Sequence, residues 1–120
     1  MRQFLAITKA LGDESRVRAL LSVRGGELCV CQIIDVLGLS PATVSKHMNL
    51  LYQAGLVQRR RNGKWQFYRM STADENPSAH RALEWMLGEL DRDPTLREDA
   101  RRIRLVRRKD LEVLSTCYRS

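Results

Sequence analysis

The chain has 120 residues, 43% of them hydrophobic and 29% charged, and its 21 Lys and Arg outnumber its 14 Asp and Glu to give a net charge of +7. That length favours one domain, and the lack of a long apolar run argues against a membrane span or a secretory signal, so we expect a cytoplasmic protein with no membrane partner. Seventeen of the cations are Arg, whose planar side chain donates two parallel hydrogen bonds to phosphate. The excess therefore indicates nucleic acid ahead of an anionic membrane surface.

Apolar residues at helical spacing predict six helices, and two segments predict strands. Helix starts are marked by capping side chains or Pro, and helix ends by Gly. The predicted helices are, in chain order, 2–11, one from Asp13 to the break at Gly25-Gly26, one that ends before Gly38, one from Ser40-Pro41 to Ala54, one after Pro77 and one over 95–113. The predicted strands are 56–61 and 65–70, and a turn at Asn62-Gly63 joins them.

The centre of the chain has the arrangement of a winged helix-turn-helix. The third and fourth helices are joined by a short turn at 38–41, and a basic hairpin follows them. Val44, Met48 and Leu51 share one side of the fourth helix, and small or polar residues occupy the other, which suits entry into a DNA major groove. We expect a mainly α fold with a small β-hairpin, one domain over 1–120 with its core at about 13–70.

Ten residues of this unit are candidates for binding double-stranded DNA. The fourth helix and its cap offer short polar side chains for base edges or phosphates, and the hairpin offers cations for the DNA backbone or minor groove. An alternative for the arginine triplet is a solvated strand edge that prevents aggregation. The candidates are Ser40, Ala42, Thr43, Ser45, Lys46, Asn49, Arg59, Arg60, Arg61 and Lys64.

Cys29 and Cys31 are the most specific chemical feature of the chain. Three cysteines without a secretion signal are expected to be reduced thiols. Thiols two residues apart diverge by about 200° on a helix but point to one side of an extended segment. One soft ion could therefore bind both only if the segment is extended or the helix start is distorted. The other interpretation, that both are small buried apolar residues, stays open.

Four short motifs occur in a fixed order between residues 4 and 70: ELCVC at 27–31, Ser40 followed by TVSKHM at 43–48, AGLV at 54–57, and GKW at 63–65 with YR at 68–69. Together they resemble the ArsR/SmtB family of metal-responsive repressors. The resemblance implies a homodimer, without an organic cofactor, that represses a metal-resistance operon and leaves its operator DNA when metal binds. Two-fold symmetry of such a dimer predicts an inverted-repeat operator. The ELCVC segment is similar to that of the arsenic-responsive branch, which implies As(III) or Sb(III) as the inducer and Cys29 and Cys31 as its ligands.

The sequence departs from the arsenic-responsive pattern at one position. The family's third cysteine, three residues after the second, is replaced by Ile34. The third ligand is then Cys117, an external thiol, or absent. The cadmium- and lead-responsive branch has a similar ELCVC, so Cd or Pb is an alternative inducer. A thiol oxidised by peroxide on the same scaffold is a further alternative.

The family's dimer interface lies on the first and last helices, and the apolar stripes of 2–11 and 95–113 fit that role. The alternative is that these stripes pack on their own domain. We find no phosphate-binding glycine loop, paired catalytic carboxylates or nucleophile elbow, so we do not expect an enzyme. A membrane-surface role for the basic last helix would need aromatic anchors that its stripe lacks.

Overall fold

The computed structural model describes the backbone of residues 1–117 and the side chains of residues 1–115. As expected, the fold is mainly helical with a small antiparallel sheet. The elements in chain order are α1 (Arg2–Ala10), α2 (Glu14–Ser22), β1 (Leu28–Cys29), α3 (Val30–Leu37), α4 (Pro41–Gln53), β2 (Val57–Asn62), β3 (Trp65–Met70), α5 (Pro77–Glu89), α6 (Pro94–Val106) and α7 (Leu111–Cys117). No helix in this described part is long and apolar enough to cross a membrane.

Local signals in the sequence fix most helix ends. The residue before each of four helices accepts a hydrogen bond from a backbone N–H in the first turn, which satisfies a donor that the helix itself leaves unpaired. These N-caps are Asp13, Ser40, Asn76 and Asp93, and Pro opens the last three helices. Gly38 ends α3 in the left-handed conformation with φ +69°, which glycine adopts without steric cost.

The sheet has three strands in the order β1-β3-β2, all antiparallel. In the hairpin, Asn62 pairs with Trp65, so the two turn residues are Gly63 and Lys64. The predicted Asn62-Gly63 turn was wrong by one residue. Gly63 takes φ +62° at the first turn position, where the twist of the hairpin favours glycine. The strand that was not predicted, β1, joins the free edge of β3.

The main core lies where α2, α3 and α4 meet the base of the sheet. The apolar side of α4 predicted from the sequence is fully buried there: Val44, Met48 and Leu51 are inaccessible to solvent. Leu20 from α2 and Ile33 from α3 pack in the same cluster. This packing fixes the angle between α3 and α4 and leaves the opposite side of α4 on the surface.

The segment predicted as one helix over 95–113 is two helices. α6 ends at Val106, and α7 starts at Leu111 after a turn. Arg18 of α2 binds the buried Asp99 of α6 through two hydrogen bonds of 2.8 and 2.9 Å, which fastens α6 to the domain. Val106 is 1% exposed, and Ile103 packs against both core clusters. These residues of the stripe thus pack on their own domain, the alternative stated above.

Candidate nucleic-acid interface and thiol site

The exposed side of α4 carries the predicted contact residues. Ala42, Ser45, Lys46 and Asn49 are all exposed, opposite the buried side of the helix. Lys46 has no ion-pair partner among the described residues, so its ammonium group is available to an external anion. A short, polar, singly charged surface of this kind allows close approach to a nucleic-acid groove.

Ser40 and Thr43 have a structural role at the start of α4. The hydroxyl oxygen of Ser40 accepts a hydrogen bond of 3.2 Å from the Thr43 N–H, and its proton is donated to Thr43 Oγ1 at 2.8 Å. Both side chains therefore hold the N-terminus of α4, where the positive end of the helix dipole favours a phosphate.

The four predicted cations of the hairpin differ in their partners. Arg59 lies 3.9 Å from the centre of the Tyr52 ring of α4, and Arg61, two residues further along β2, shares that strand face. Arg60 is on the other face and donates two hydrogen bonds, of 2.9 and 2.6 Å, to the Glu27 carboxylate. Lys64 pairs with Glu112 of α7 at 2.8 Å. Among the described residues, Arg59 and Arg61 are thus the cations of β2 that have no carboxylate partner.

The two thiols meet at the junction of β1 and α3. Cys29 is the last residue of β1 and the N-cap of α3, with an extended backbone (φ −71°, ψ 150°), and Cys31 lies in the first turn of the helix. The strand-to-helix turn brings their sulfur atoms within 3.3 Å. The pair thus straddles the end of an extended strand and the start of a helix, and the short distance between the sulfur atoms is compatible with a shared ligand. Both residues are also buried, at 1% and 4% exposure, as the apolar interpretation required.

A second, smaller core covers the thiols. Its walls come from the sheet and from the two C-terminal helices, and they are apolar: Val36, Trp65, Phe67, Ile103, Val106, Leu111 and Leu114. Trp65 and Phe67 of β3 pack against the buried residues of this core. Burial, and then the contact with Cys29, raises the pKa of the Cys31 thiol to about 12. Cys31 is therefore protonated at neutral pH, and a ligand that binds its sulfur must displace that proton.

The thiol segment is hydrogen-bonded into the sheet of the hairpin. Cys29 pairs with Phe67 across the β1–β3 ladder. Arg60 lies 4.4 Å above the Phe67 ring while it binds Glu27, two residues before Cys29. Sequence analysis missed this link, because a two-residue strand carries no periodicity and its partner lies almost 40 residues away.

Among the described residues, no group of three or more His, Cys, Asp or Glu side chains is placed to hold a metal ion. Cys117 ends α7, but its side chain lies outside the described part of the chain. His47 is part-buried, with its Nδ1 3.5 Å from Arg16, and His80 is paired with Glu84; neither approaches the thiols.

The fold and site define a class of protein: a winged helix-turn-helix regulator, with a buried thiol pair on the sheet of its wing. Residues 13–59 match the family model described as bacterial regulatory protein, arsR family. An uncharacterized HTH-type transcriptional regulator of Methanocaldococcus jannaschii is 46% identical over 63 residues, which are 52% of this chain and 71% of that protein. The chain belongs to the arsR family of bacterial regulatory proteins, which are not enzymes.

Other relatives carry more specific names. An arsenic resistance transcriptional regulator of Pseudomonas putida is 42% identical over 74 residues, or 58% of each chain. A cadmium resistance regulatory protein homolog of Staphylococcus aureus is 41% identical over 64 residues, or 52% of each. The chain thus spans between half and three fifths of these two relatives. The solution structure of a homodimeric winged helix-turn-helix DNA-binding domain from Mycobacterium bovis matches with a TM-score of 0.61 at 29% identity, covering 75% of this chain and 82% of that one.

Proposed function

We propose that this protein is a homodimeric transcriptional repressor that binds operator DNA and releases it when As(III) or Sb(III) binds Cys29 and Cys31. One observation carries the proposal. Cys29 is the N-cap of the first helix of the helix-turn-helix and the last residue of a strand paired with the wing, and Cys31 lies in the first turn of that helix. A ligand on these sulfurs therefore acts on both DNA-contacting elements at once.

The DNA surface consists of α4 and the wing. α4 enters the major groove with Ser45, Lys46 and Asn49 towards base edges and phosphates, and Ser40 and Thr43 hold its N-terminus near the backbone. Arg59 and Arg61 of the wing contact the DNA backbone or minor groove. In a two-fold dimer the two copies of α4 would lie about 34–36 Å apart, which requires an inverted-repeat operator.

The ligand site uses the two sulfurs that the β1–α3 junction holds together. Cys117, the remaining cysteine of the sequence, is one candidate for a third sulfur. An external thiol is the other candidate. X-ray absorption on the arsenic-loaded chain and on Cys117→Ser counts the sulfurs, and a count of three that falls to two in the variant assigns Cys117.

Coupling between ligand and DNA follows from the backbone of Cys29. A bond to its sulfur changes the extended geometry that caps α3 and that holds β1 against Phe67. Either change moves α3 or the wing relative to α4 and weakens the fit to DNA. Coupling between two sites is typically about 5–150-fold in affinity, and by reciprocity bound operator must weaken ligand binding by the same factor.

The test begins with an operator selected by the reduced full-length protein from a random duplex library, where we expect an inverted repeat. Arsenite should release the wild-type protein from this operator. Cys29→Ser should bind the operator as tightly but not be released. Release of the variant at the same arsenite concentration would contradict the assignment of Cys29, and a selected site without dyad symmetry would contradict the dimeric mode of binding.

Two alternatives use the same thiols and are tested in the same assay. The likeness to a cadmium resistance protein homolog favours Cd or Pb as inducer. Sulfur atoms only 3.3 Å apart favour a sensor in which oxidation joins them. Release by Cd(II) but not arsenite would support the first alternative, and release by peroxide but not arsenite the second. All three versions place reduced thiols and DNA together, in keeping with the cytoplasmic location expected from the sequence.

A further inference from the structure

The thiol site offers two bonds where trivalent arsenic forms three. Trivalent arsenic carries a lone pair and three substituents in a pyramid, and Cys29 and Cys31 supply two of them. Within the described residues, no third Cys, His, Asp or Glu gathers with these thiols. The amide oxygen Oε1 of Gln32, at the start of the same helix, already accepts a hydrogen bond of 2.8 Å from the Cys29 N–H. The third substituent must therefore come with the ligand or from Cys117.

The surroundings of the thiols favour an apolar third substituent. Val106 and Leu114, 1% and 5% exposed, close the site from the C-terminal helices, and Phe67 closes it from the wing. Arsenite bound to two thiols keeps one hydroxyl group, which would lack a hydrogen-bond partner in this shell. A methyl or aryl group in the same position would instead gain contact with the apolar side chains.

The separation of the sulfurs suits a pyramidal centre. With bonds of about 2.3 Å, as for zinc and sulfur, two sulfurs on a tetrahedral ion lie about 3.8 Å apart. The separation here is 3.3 Å, which for the same bond length corresponds to an angle close to ~90° at the bound atom. The narrow bond angles of a pyramidal main-group atom are closer to this value than tetrahedral angles are.

We infer, resting on the function proposed above, that the inducer which fits this site best is a trivalent arsenical with one carbon substituent, R–As(OH)₂, and not inorganic arsenite. Each hydroxyl leaves as water with the proton of one thiol, two As–O and two S–H bonds break, and two As–S bonds form. The products are R–As(S-Cys29)(S-Cys31) and two water molecules. Arsenic stays trivalent, no oxidant is needed, and no net charge is buried.

Access to the site requires movement of the wing or α7, and the contacts between them permit it. Lys64 joins the wing to Glu112 of α7, and Lys109 joins the turn before α7 to Asp35 of α3. At least one side chain of each pair is more than half exposed, and such ion pairs add little stability. Leu111 and Leu114 of α7 form part of the apolar shell, so movement of α7 would open the site to a small organic group.

The test compares methylarsonous acid with arsenite on the reduced full-length protein, in buffer without small thiols. A peptide of residues 27–32 serves as control, because it has the same two thiols without the shell. The quantity compared is the ratio of the affinity for methylarsonous acid to the affinity for arsenite. We expect this ratio to be larger for the protein than for the peptide by about tenfold or more, because one methyl group in apolar surroundings is worth roughly 10–200-fold. Native mass spectrometry should find one CH₃As unit gained and two hydrogens lost, and Cys117→Ser should behave as the wild type.

The results separate this inference from the function on which it rests. Equal or tighter binding of arsenite, with three thiols consumed and a loss of affinity in Cys117→Ser, would overturn the inference and leave the proposed repressor intact. Binding of neither compound, or binding without release from the selected operator, would overturn the proposed sensing function itself. Preference for the methylated compound together with release supports both.

A pair of variants tests the apolar shell directly. Leu114→Ser places a hydroxyl group in the wall of the site, and Val113→Ser makes the same kind of change at a position that is 63% exposed on the same helix. We expect Leu114→Ser to reduce the preference for methylarsonous acid to that of the peptide and Val113→Ser to preserve it. An unchanged preference in Leu114→Ser would overturn the role assigned to the shell.

Discussion

Neighbouring residues of the same type have different roles here because their partners differ. Arg60 and Arg61 are adjacent and both exposed, yet Arg60 is bound to Glu27 and Arg61 donates to an amide oxygen, that of Gln66. Composition and spacing identified all of these residues as cations. They could not show which of them have a carboxylate partner, because that depends on which face of β2 lies beside α4. The ten candidates are all exposed or partly exposed, and the sequence did not predict which of them have partners within the chain.

Lys46 is the exposed cation of α4 that is proposed to contact a DNA phosphate. Lys46→Ala should weaken operator binding and reduce the slope of log affinity against log salt concentration by about one, because one phosphate contact is lost. Lys9→Ala removes an equally exposed charge from α1 and serves as the control, with an unchanged slope. The measurement is operator affinity across a salt series. An identical slope in wild type and Lys46→Ala would remove Lys46 from the interface, and release by the inducer should be normal in both variants.

The buried Cys31 makes stability depend on alkaline pH. Its pKa is raised to about 12 from an ordinary value of 9.0, so the folded state holds the thiol proton more tightly than the unfolded state does. This contribution is complete below pH 9 and is lost as the pH rises from about 9 to about 12. The free energy of unfolding should fall there by up to about 1.4 kcal/mol per pH unit. Cys31→Ala lacks the thiol, so urea unfolding from pH 8 to 11 should find a shallower decline in the variant.

Elements with strong local signals were predicted, and those that depend on distant contacts were not. Ser40 and Pro41 start α4, and a basic segment with glycine in its turn forms the hairpin. By contrast, β1 exists only because β3 offers a free edge, and the break between α6 and α7 follows from their separate packing over the thiols. The sequence thus predicted the helix-turn-helix and the hairpin, but not the two separate C-terminal helices that pack over the thiols.

The ion pair between Arg18 of α2 and Asp99 of α6 should contribute far more to the free energy of unfolding than the exposed ion pairs of α6 do. Asp99→Ala leaves Arg18 without its partner in a mostly buried site, and removing one member of a buried pair typically costs about 3–5 kcal/mol. Arg18 retains some contact with water, so we expect a loss near about 3 kcal/mol in urea unfolding. The control is Glu98→Ala, one residue away, whose partners Arg101 and Arg102 are exposed and which should cost less than about 1 kcal/mol. Similar losses in both variants would contradict this assignment.

At the scale of the whole molecule, the sheet connects the thiol pair to the surface that is proposed to bind DNA. Cys29 belongs to β1, β1 pairs with β3, and β3 pairs with β2, which carries Arg59 beside Tyr52 of α4. The same thiol pair caps α3, which packs against α4. A change at Cys29 therefore reaches the recognition helix by two routes, and neither requires a large movement.

The proposed dimer must also be formed by surfaces that the monomer leaves exposed. Phe4 of α1 and Trp85 of α5 are 64% and 66% exposed, and α1 packs against α5, so these side chains offer an apolar surface on neighbouring helices. On α6 much of the predicted stripe is used within the domain, and Leu105 is its large exposed apolar residue, at 47%. The structure thus favours α1 and α5 over α6 as the helices that meet a second copy.

Two matched variants decide between these surfaces. Phe4→Glu places a charge in the surface of α1 and α5, and we expect it to convert the dimer to a monomer in sedimentation analysis. Because a monomer contacts one half-site only, operator affinity should fall by at least about 100-fold, in keeping with the large gain from linking two binding sites. Leu105→Glu makes the same change on α6 and should leave both properties intact. If Leu105→Glu and not Phe4→Glu yields the monomer, the interface lies on α6, part of the last-helix segment that the resemblance implied, and not on the Phe4 surface of α1.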